Sequence, residues 1–490
     1  MTLTFTDIFC GAGGSSTGLV AAGMELKLAA NHSKVAISTH AANHRNAEHI
    51  CADINNYDMR RLPPTDVLWG SPICTEISPA GGRRRTNSHR HHAQEALLEY
   101  GPVESAAWER TRATAYDIIR ATEVHRYKAV LCENVVEFAV DWELFTWWFN
   151  GMERLGYNGQ VVSVSAAHIG YDNNEAAPQW RDRVYMVFTL KGIPLPDLEP
   201  RPLAWCQECQ ADVHAVQSWR DTPQTRLHGN IGKYREQYDY RCENTACRHS
   251  IVEPYINPAS SIIDWSDLGD RIGDRAKPLA ASTMKRIAAG LVKFPDRSSV
   301  VTVNHSGHDG RVFPADAAPL PARSTKIGDG LLVPCGGGWN TTASPTSAPM
   351  RTRTANPKGF EALVATSTPF IVEYRNHADA SAVTNPLATV TSGGNHHALV
   401  VPYRNVAVKA TEDPFHTMST VDSAAPVGPA VDANDCWFRM VQPSEQLYSQ
   451  RFPRDYIVHG TKGEQTMQAG NAVAVNVAQW VGERVMAVLS

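Results

Sequence analysis

The chain has 490 residues, of which 43% are apolar and 20% charged, and its 46 basic and 50 acidic side chains give a formal net charge of −4. That length sets a prior of about three domains and supplies enough apolar material for a core without a disulfide or metal staple. The composition excludes a disordered chain, no apolar run approaches the roughly 18 residues of a membrane span, and the charge balance excludes a uniformly basic nucleic-acid coat while leaving room for a local basic groove. The start MTLTFTDIF carries no basic-then-apolar leader, so the ten cysteines are expected to be reduced, which points to the cytoplasm.

From residue 3 to about 190, β-rich apolar runs alternate with longer helical patterns, the rhythm of a parallel α/β sheet. Strands are predicted at 3–9, 26–30, 67–69, 129–132, 161–165 and 184–189, and helices at 15–22, 34–43, 104–126 and 143–155. The Pro-containing stretch GIPLPDLEPRP at 192–202 cannot continue a helix or a central strand and reads as a domain exit. Beyond it, Cys206 and Cys209, then Cys242 and Cys247, form a Cys-x2-Cys and Cys-x4-Cys pair. Two such turns bring four thiolates together around tetrahedral zinc, so a zinc ribbon is expected at 200–252, with scattered reduced thiols as the alternative and His249 as a spare ligand.

Residues 253–435 are rich in Ala, Thr, Ser, Pro and Gly without clear helical period. A loose theme recurs there, Pro and an apolar residue before a Thr/Ser cluster, at Pro278, Pro319, Pro349, Pro386 and Pro414. Its irregular spacing suggests short loops or hairpins rather than a solenoid. Helical period returns at 436–490, with a terminal helix predicted at 472–489. The expected architecture is thus a sheet domain at 1–190, interrupted by a ribbon and a mixed or β-rich insert, and completed by the C-terminal segment.

DIFCGAGGSSTG at 7–18 sits where the first strand meets the first helix, and its glycines allow a ligand close to the helix N-terminus. The dinucleotide fingerprint would need glycine at Ser16, and a phosphate loop would need Gly-Lys-Ser/Thr, so neither nucleotide reading fits. Asp7-Ile-Phe9-Cys-Gly11-Ala12-Gly13-Gly14 instead resembles the first motif of the cytosine carbon-5 DNA methyltransferases. The resemblance implies a Rossmann-like S-adenosylmethionine-dependent methyltransferase sheet, with Phe9 on the adenine and Gly11, Ala12, Gly13 and Gly14 near the methionine part. It also assigns Asn31 and His32 to the ribose, at a position where the family usually has an acid, and Asp53 and Ile54 to the adenine. Pro72 and, from the GNAV element at 470–473, Asn471 and Val473 would line the same pocket.

GSPICTEIS at 70–78 follows an apolar run, which puts Cys74 on a loop at the C-terminal end of a strand, where open α/β sheets build their sites. The family pattern is Pro-Pro-Cys, and this chain has Pro72-Ile73-Cys74. Carbon 5 of cytosine is too weak a nucleophile to take a methyl group from a sulfonium, whereas thiolate addition at carbon 6 turns the ring into an enamine that is not. A thiol of pKa about 8.5 needs activation, and ring attack needs an acid near ring nitrogen 3. The resemblance gives that role to Glu133 of Glu133-Asn134-Val135. Arg181 and Arg183 in Gln-Trp-Arg-Asp-Arg would share one face of a strand and converge as a cationic fork, the second on cytosine oxygen 2.

The densest basic run, Gly81-Gly-Arg83-Arg84-Arg85, follows the nucleophile and resembles the family's mobile catalytic loop; with Ser78 it would clamp phosphates while the base is flipped out. The five motifs stand in the family's order over about half the chain. They imply a monomeric enzyme that methylates double-stranded DNA with S-adenosylmethionine, of the kind found in restriction-modification, without a membrane partner. The alternatives are an RNA cytosine methyltransferase and a non-catalytic nucleic-acid-binding homologue; the latter is disfavoured because Cys74, Glu133 and Arg183 are all present.

Overall fold

A computed structural model describes residues 2–72, 103–171, 173–281, 283–285, 287–288, 299–302, 330–331, 370–373, 387–388, 397–401 and 433–490. Its centre is a seven-stranded sheet. β1 (Thr4–Ile8) lies between β2 (Glu25–Asn31) and β4 (Val67–Gly70), with β3 (Glu48–Cys51) outside β2 and β5 (Ala129–Asn134) outside β4. These five pair in parallel, so the C-terminal ends of all five strands open on one edge. The strand order reverses at β1, the position where such sheets leave a crevice for ligands. Every residue of β4 and β5 is buried, as expected for strands covered by helices on both faces.

The far side departs from the expected all-parallel pattern. β6 (Tyr157–Ser165) and β8 (Asp182–Leu190) form an antiparallel pair, and β8 inserts between β5 and β6. The described chain between them holds one short 3-10 turn, Ala166–His168, and the two-residue strand β7 (Gln179–Trp180), with no crossover helix to return the chain in parallel.

One face of the sheet is covered by helices Val103–His125, Val136–Val140 and Phe145–Arg154, whose Phe138, Trp148 and Met152 join Tyr157 and Phe188 in an aromatic core. The other face carries the two ends of the chain. Helix Gly14–Ala21 packs on helix Val475–Leu489 so closely that a Cβ at Gly18 would come within 2.5 Å of Ala478 Cβ. The segment Lys462–Leu489 is long and apolar enough to cross a membrane, but it is mostly buried against this domain. It is also two helices. The first ends at Asn471, Ala472–Ala474 are extended, and the second begins at Val475, so the GNAV element bridges two helices instead of opening the last one. Tertiary contacts hold the break: Arg181 donates to the carbonyls of Gly470 (3.2 Å) and Ala472 (2.5 Å), and Val475 N–H donates to Gln450 O (3.0 Å).

Residues 203–252 form a separate small core. Hairpin β9–β10 (Leu203–Cys206 and Ala211–His214) and the sheet β11–β12–β13 (Val216–Trp219, Tyr238–Arg241, Ile251–Val252) enclose Val213, Tyr238, Tyr240 and Val252. A second sheet is made by Asp270–Arg271, Ser299–Thr302, Gly330–Leu331, Phe370–Glu373, His397–Val401 and Trp437–Met440. The chain re-enters the sheet domain at a buried bidentate pair, Arg439 to Glu445 at 2.7 and 2.9 Å, whose carboxylate also accepts the Gln442 N–H (2.7 Å) as a capping box.

Candidate active site

The glycine turn leaves β1 through three left-handed residues, Phe9 (φ 68°), Gly11 (φ 53°) and Gly13 (φ 96°). Phe9 is the costly one, since left-handed backbone is unfavourable with a Cβ, and such strain concentrates at ligand sites. The turn is fixed from behind. Asp7, buried in β1, accepts the hydroxyls of Ser15 (2.6 Å) and Ser16 (2.7 Å), and Ser16 meets His40 Nε2 at 3.0 Å. Tyr456 donates to the Ala12 carbonyl (2.5 Å) from the C-terminal segment. A Cβ at Gly13 would come within 2.6 Å of the Tyr456 hydroxyl, and one at Gly14 would fall on the Val473 carbonyl. Burial pushes the Asp7 carboxyl up to about 7, against the two serine hydroxyls that lower it. Burial, with His44 and His49 nearby, holds the His40 imidazole well below its ordinary range.

The other residues expected around the cofactor gather on the same strand ends. Asn31 closes β2, and its Oδ1 accepts the Ser33 N–H (2.9 Å), so it also shapes the turn into helix Lys34–Asn43. His32 beside it is exposed. Asp53 follows β3 and caps the 3-10 turn that begins at Ile54, accepting from Asn55 N–H (3.2 Å) and Asn56 Nδ2 (3.0 Å). Val473 is buried against helix Gly14–Ala21, whereas Asn471 is exposed at its helix end.

The residues expected to face the base lie on β5 and β8. Glu133 and Arg183 are nearly buried, 7% and 9% exposed, and Arg183 Nε meets Glu133 Oε1 at 3.0 Å. Asn134 donates through Nδ2 to the Pro72 carbonyl (3.1 Å), tying β5 to the loop that leads to Cys74. Cys74, Ser78, Arg83, Arg84 and Arg85 lie outside the described residues. Arg181 does not join the pair: its described bonds go to the Gly470 and Ala472 carbonyls, so the expected two-cation fork separates into one arginine on Glu133 and one holding the C-terminal segment to the start of β8. That second use had no local signal, because its acceptors lie 289 and 291 residues away. His40 and Tyr456 were likewise invisible as supports of the turn; a histidine on a predicted helix and a lone tyrosine carry no pattern.

The sulfurs of Cys206, Cys209, Cys242 and Cys247 all lie within 4.8 Å of one another. Cys209 Sγ and Cys242 Sγ are 3.8 Å apart, the edge of a tetrahedron with metal–sulfur bonds of about 2.3 Å. Cys206 and Cys209 flank the β9–β10 turn, where Gln210 is left-handed, and Cys242 and Cys247 flank the turn after β12. The Asn244 N–H points at Cys242 Sγ (3.4 Å), the kind of amide donor that supports a metal-bound thiolate.

A sequence model described as C-5 cytosine-specific DNA methylase matches residues 3–275 and 366–487. The type II methyltransferase M.AgeI of Thalassovita gelatinovora is 28% identical over 194 residues, 37% of this chain and 38% of that protein. The type II methyltransferase M.FnuDI of Fusobacterium nucleatum is 36% identical over 84 residues, 17% of this chain and 24% of that protein. The chain therefore spans well under half the length of these curated relatives. Among solved structures, the Entamoeba histolytica methyltransferase EhMeth aligns over 100% of this chain and 99% of its own, with 10% identity and a TM-score of 0.47.

Proposed function

The chain belongs to the C-5 cytosine-specific DNA methylase family, and from that premise we propose that it methylates carbon 5 of a flipped-out cytosine in duplex DNA, with S-adenosylmethionine as donor. The observation that carries this reading is the nearly buried Glu133–Arg183 pair at 3.0 Å, on the strand edge that also bears the glycine turn. A carboxyl group there suits the amino group and ring nitrogen 3 of cytosine, and a guanidinium suits the carbonyl oxygen 2. Both edges of one base would be read by a single ion pair.

The donor supplies an electrophilic methyl group on a sulfonium, and the residues of the chain do the rest. Phe9, Gly11, Ala12, Gly13 and Gly14, with Asp53, Ile54, Pro72 and Val473, form the cradle, and Asn31 takes the ribose side. The Cys74 thiolate adds to carbon 6 while Glu133 hydrogen-bonds ring nitrogen 3, which makes carbon 5 nucleophilic. After transfer, which leaves the donor as a neutral thioether, water takes the carbon 5 proton and expulsion of the thiolate restores the aromatic ring and frees Cys74. Ser78 and Arg83, Arg84 and Arg85 would hold the backbone phosphates around the vacated stack. The four-cysteine cluster fits a structural Zn2+, with all four positions taken by protein and none left for chemistry. About one equivalent of zinc is expected in untagged protein, and metal analysis finding none would remove this assignment.

The deciding experiment is base-resolution methylation mapping of unmethylated duplex DNA incubated with the protein and S-adenosylmethionine, alongside Cys74→Ala. Marks at carbon 5 in a fixed context, lost by at least a thousandfold in the variant, are expected from removal of an obligatory nucleophile. Marks from Cys74→Ala at the parent's rate would overturn the mechanism, and methylation of RNA alone would overturn the substrate.

A further inference from the structure

The four-cysteine module meets the ends of β6 and β8 most closely at one turn, residues 231–238, beside the Gln217 bond to the Ser163 carbonyl (2.8 Å). Gly232 N–H donates to Ser163 Oγ on β6 (3.1 Å), and Tyr234 N–H donates to the carboxylate of Asp182 (3.1 Å), the residue between Arg181 and Arg183. Between them Lys233 donates its ammonium to Glu137 Oε1 at 2.6 Å. Glu137 is buried on the helix Val136–Val140, which begins two residues after the end of β5, and lies four residues after Glu133 on that strand. The Tyr234 ring lies edge-on to the buried His168 at 4.5 Å and 5.6 Å from Trp180, on the strand that leads to Arg181.

The three consecutive residues thus grip β8, which presents Arg183, its neighbour β6, and the helix that directly follows the strand of Glu133. The geometry points to Lys233 as a positioning residue for the Glu133–Arg183 pair, so that the cysteine module braces the cytosine pocket instead of only reading DNA. This rests on the reading of Glu133 and Arg183 as the groups that hold the base. The physical reason is the buried Glu137 carboxylate. Without a cation it is costly to keep in place, and its helix relaxes by water entry or rotation, carrying the end of β5 with it. Small displacements of a base-holding group by about an ångström reduce turnover far more than they reduce binding. A module used only for DNA contact would have no reason to direct its lysine inward at a buried carboxylate.

The test uses the full chain, plasmid DNA from a host lacking cytosine methylation, and tritiated S-adenosylmethionine. Lys233→Gln should lower kcat by about ten- to a hundredfold, with KM for the donor, DNA affinity and zinc content each within twofold of the parent. Lys233→Arg should restore kcat to within about threefold, since it keeps the charge and the donor. Lys233→Met combined with Glu137→Leu removes the pair without stranding a buried charge, and serves if the single variant does not fold; it should melt near the parent yet stay at least about fivefold slower, because the directional tie between the module and the helix is gone. Parental kcat in a folded variant of either kind overturns the inference, as does a loss of kcat matched by an equal loss of DNA affinity. A parent that methylates no DNA overturns the underlying reading and this inference with it, whereas an active parent matched by its Lys233 variants overturns this inference alone.

Discussion

At the turn after β1 burial works against charge: it pushes Asp7 up to about 7 and holds His40 well below its ordinary range, and the contacts are hydroxyls, carbonyls and glycine backbone. At the ends of β5 and β8, along the same edge, acidic and basic side chains are paired, Glu133 with Arg183 and Glu137 with Lys233. The first region suits a ligand held by shape and backbone approach, the second a base whose ring must be polarised. The contrast also explains why the second needs an added module. Neutral networks cost little once their hydrogen bonds are made, whereas a buried ion needs a counter-ion: Glu133 has one on the neighbouring strand, and Glu137 takes its own from the added module.

That division predicts separable effects. Glu133→Gln should lower kcat by about a hundred- to ten-thousandfold, the range for loss of a general acid–base group, while calorimetry finds donor affinity within twofold. An equal loss of donor affinity would mean that the two regions are not independent.

Gly14→Ala should act in the reverse sense. Its Cβ would meet the Val473 carbonyl, a backbone atom that cannot swing aside, so stability in urea should fall by about 3 kcal/mol and donor affinity at least tenfold. Unchanged donor affinity would show that the turn is not the cofactor cradle.

The smallest effect is a pH signature of the neutral region. The Asp7 carboxyl is raised to about 7 in the folded chain from an ordinary value near 3.8, so the folded state keeps a proton that the unfolded state releases. Its contribution to stability is therefore full below about pH 4 and lost as pH rises to about 7. Asp7→Asn lacks this loss, so its stability relative to the parent should rise by roughly 2–3 kcal/mol between pH 4 and pH 7.5, followed by thermal denaturation at each pH. A constant difference would place a charged Asp7 in the fold.

Much of the sheet was legible because its signals are local. The strands predicted at 3–9, 26–30 and 67–69 appear as Thr4–Ile8, Glu25–Asn31 and Val67–Gly70, and the helix predicted at 34–43 is Lys34–Asn43. Strand Glu48–Cys51 was missed because it is four residues long, with none of them buried, and shows no apolar alternation. The sense of β8 was missed because periodicity is the same in parallel and antiparallel strands. It depends on the missing crossover between Ser165 and Asp182.

The sequence alone determined the glycine turn, the order of the motifs, the two cysteine pairs and the placement of Glu133 at a strand end, since each is written within a few neighbouring residues. Only the tertiary structure decided that Arg181 holds the C-terminal segment, that Tyr456 supports Ala12 from 444 residues away, and that Lys233 answers Glu137 across 96. The reason is physical. Backbone conformation and periodicity depend on adjacent residues, but the partner of a buried charge or donor is whichever group the fold brings within about 3 Å, and that distance bears no relation to separation along the chain.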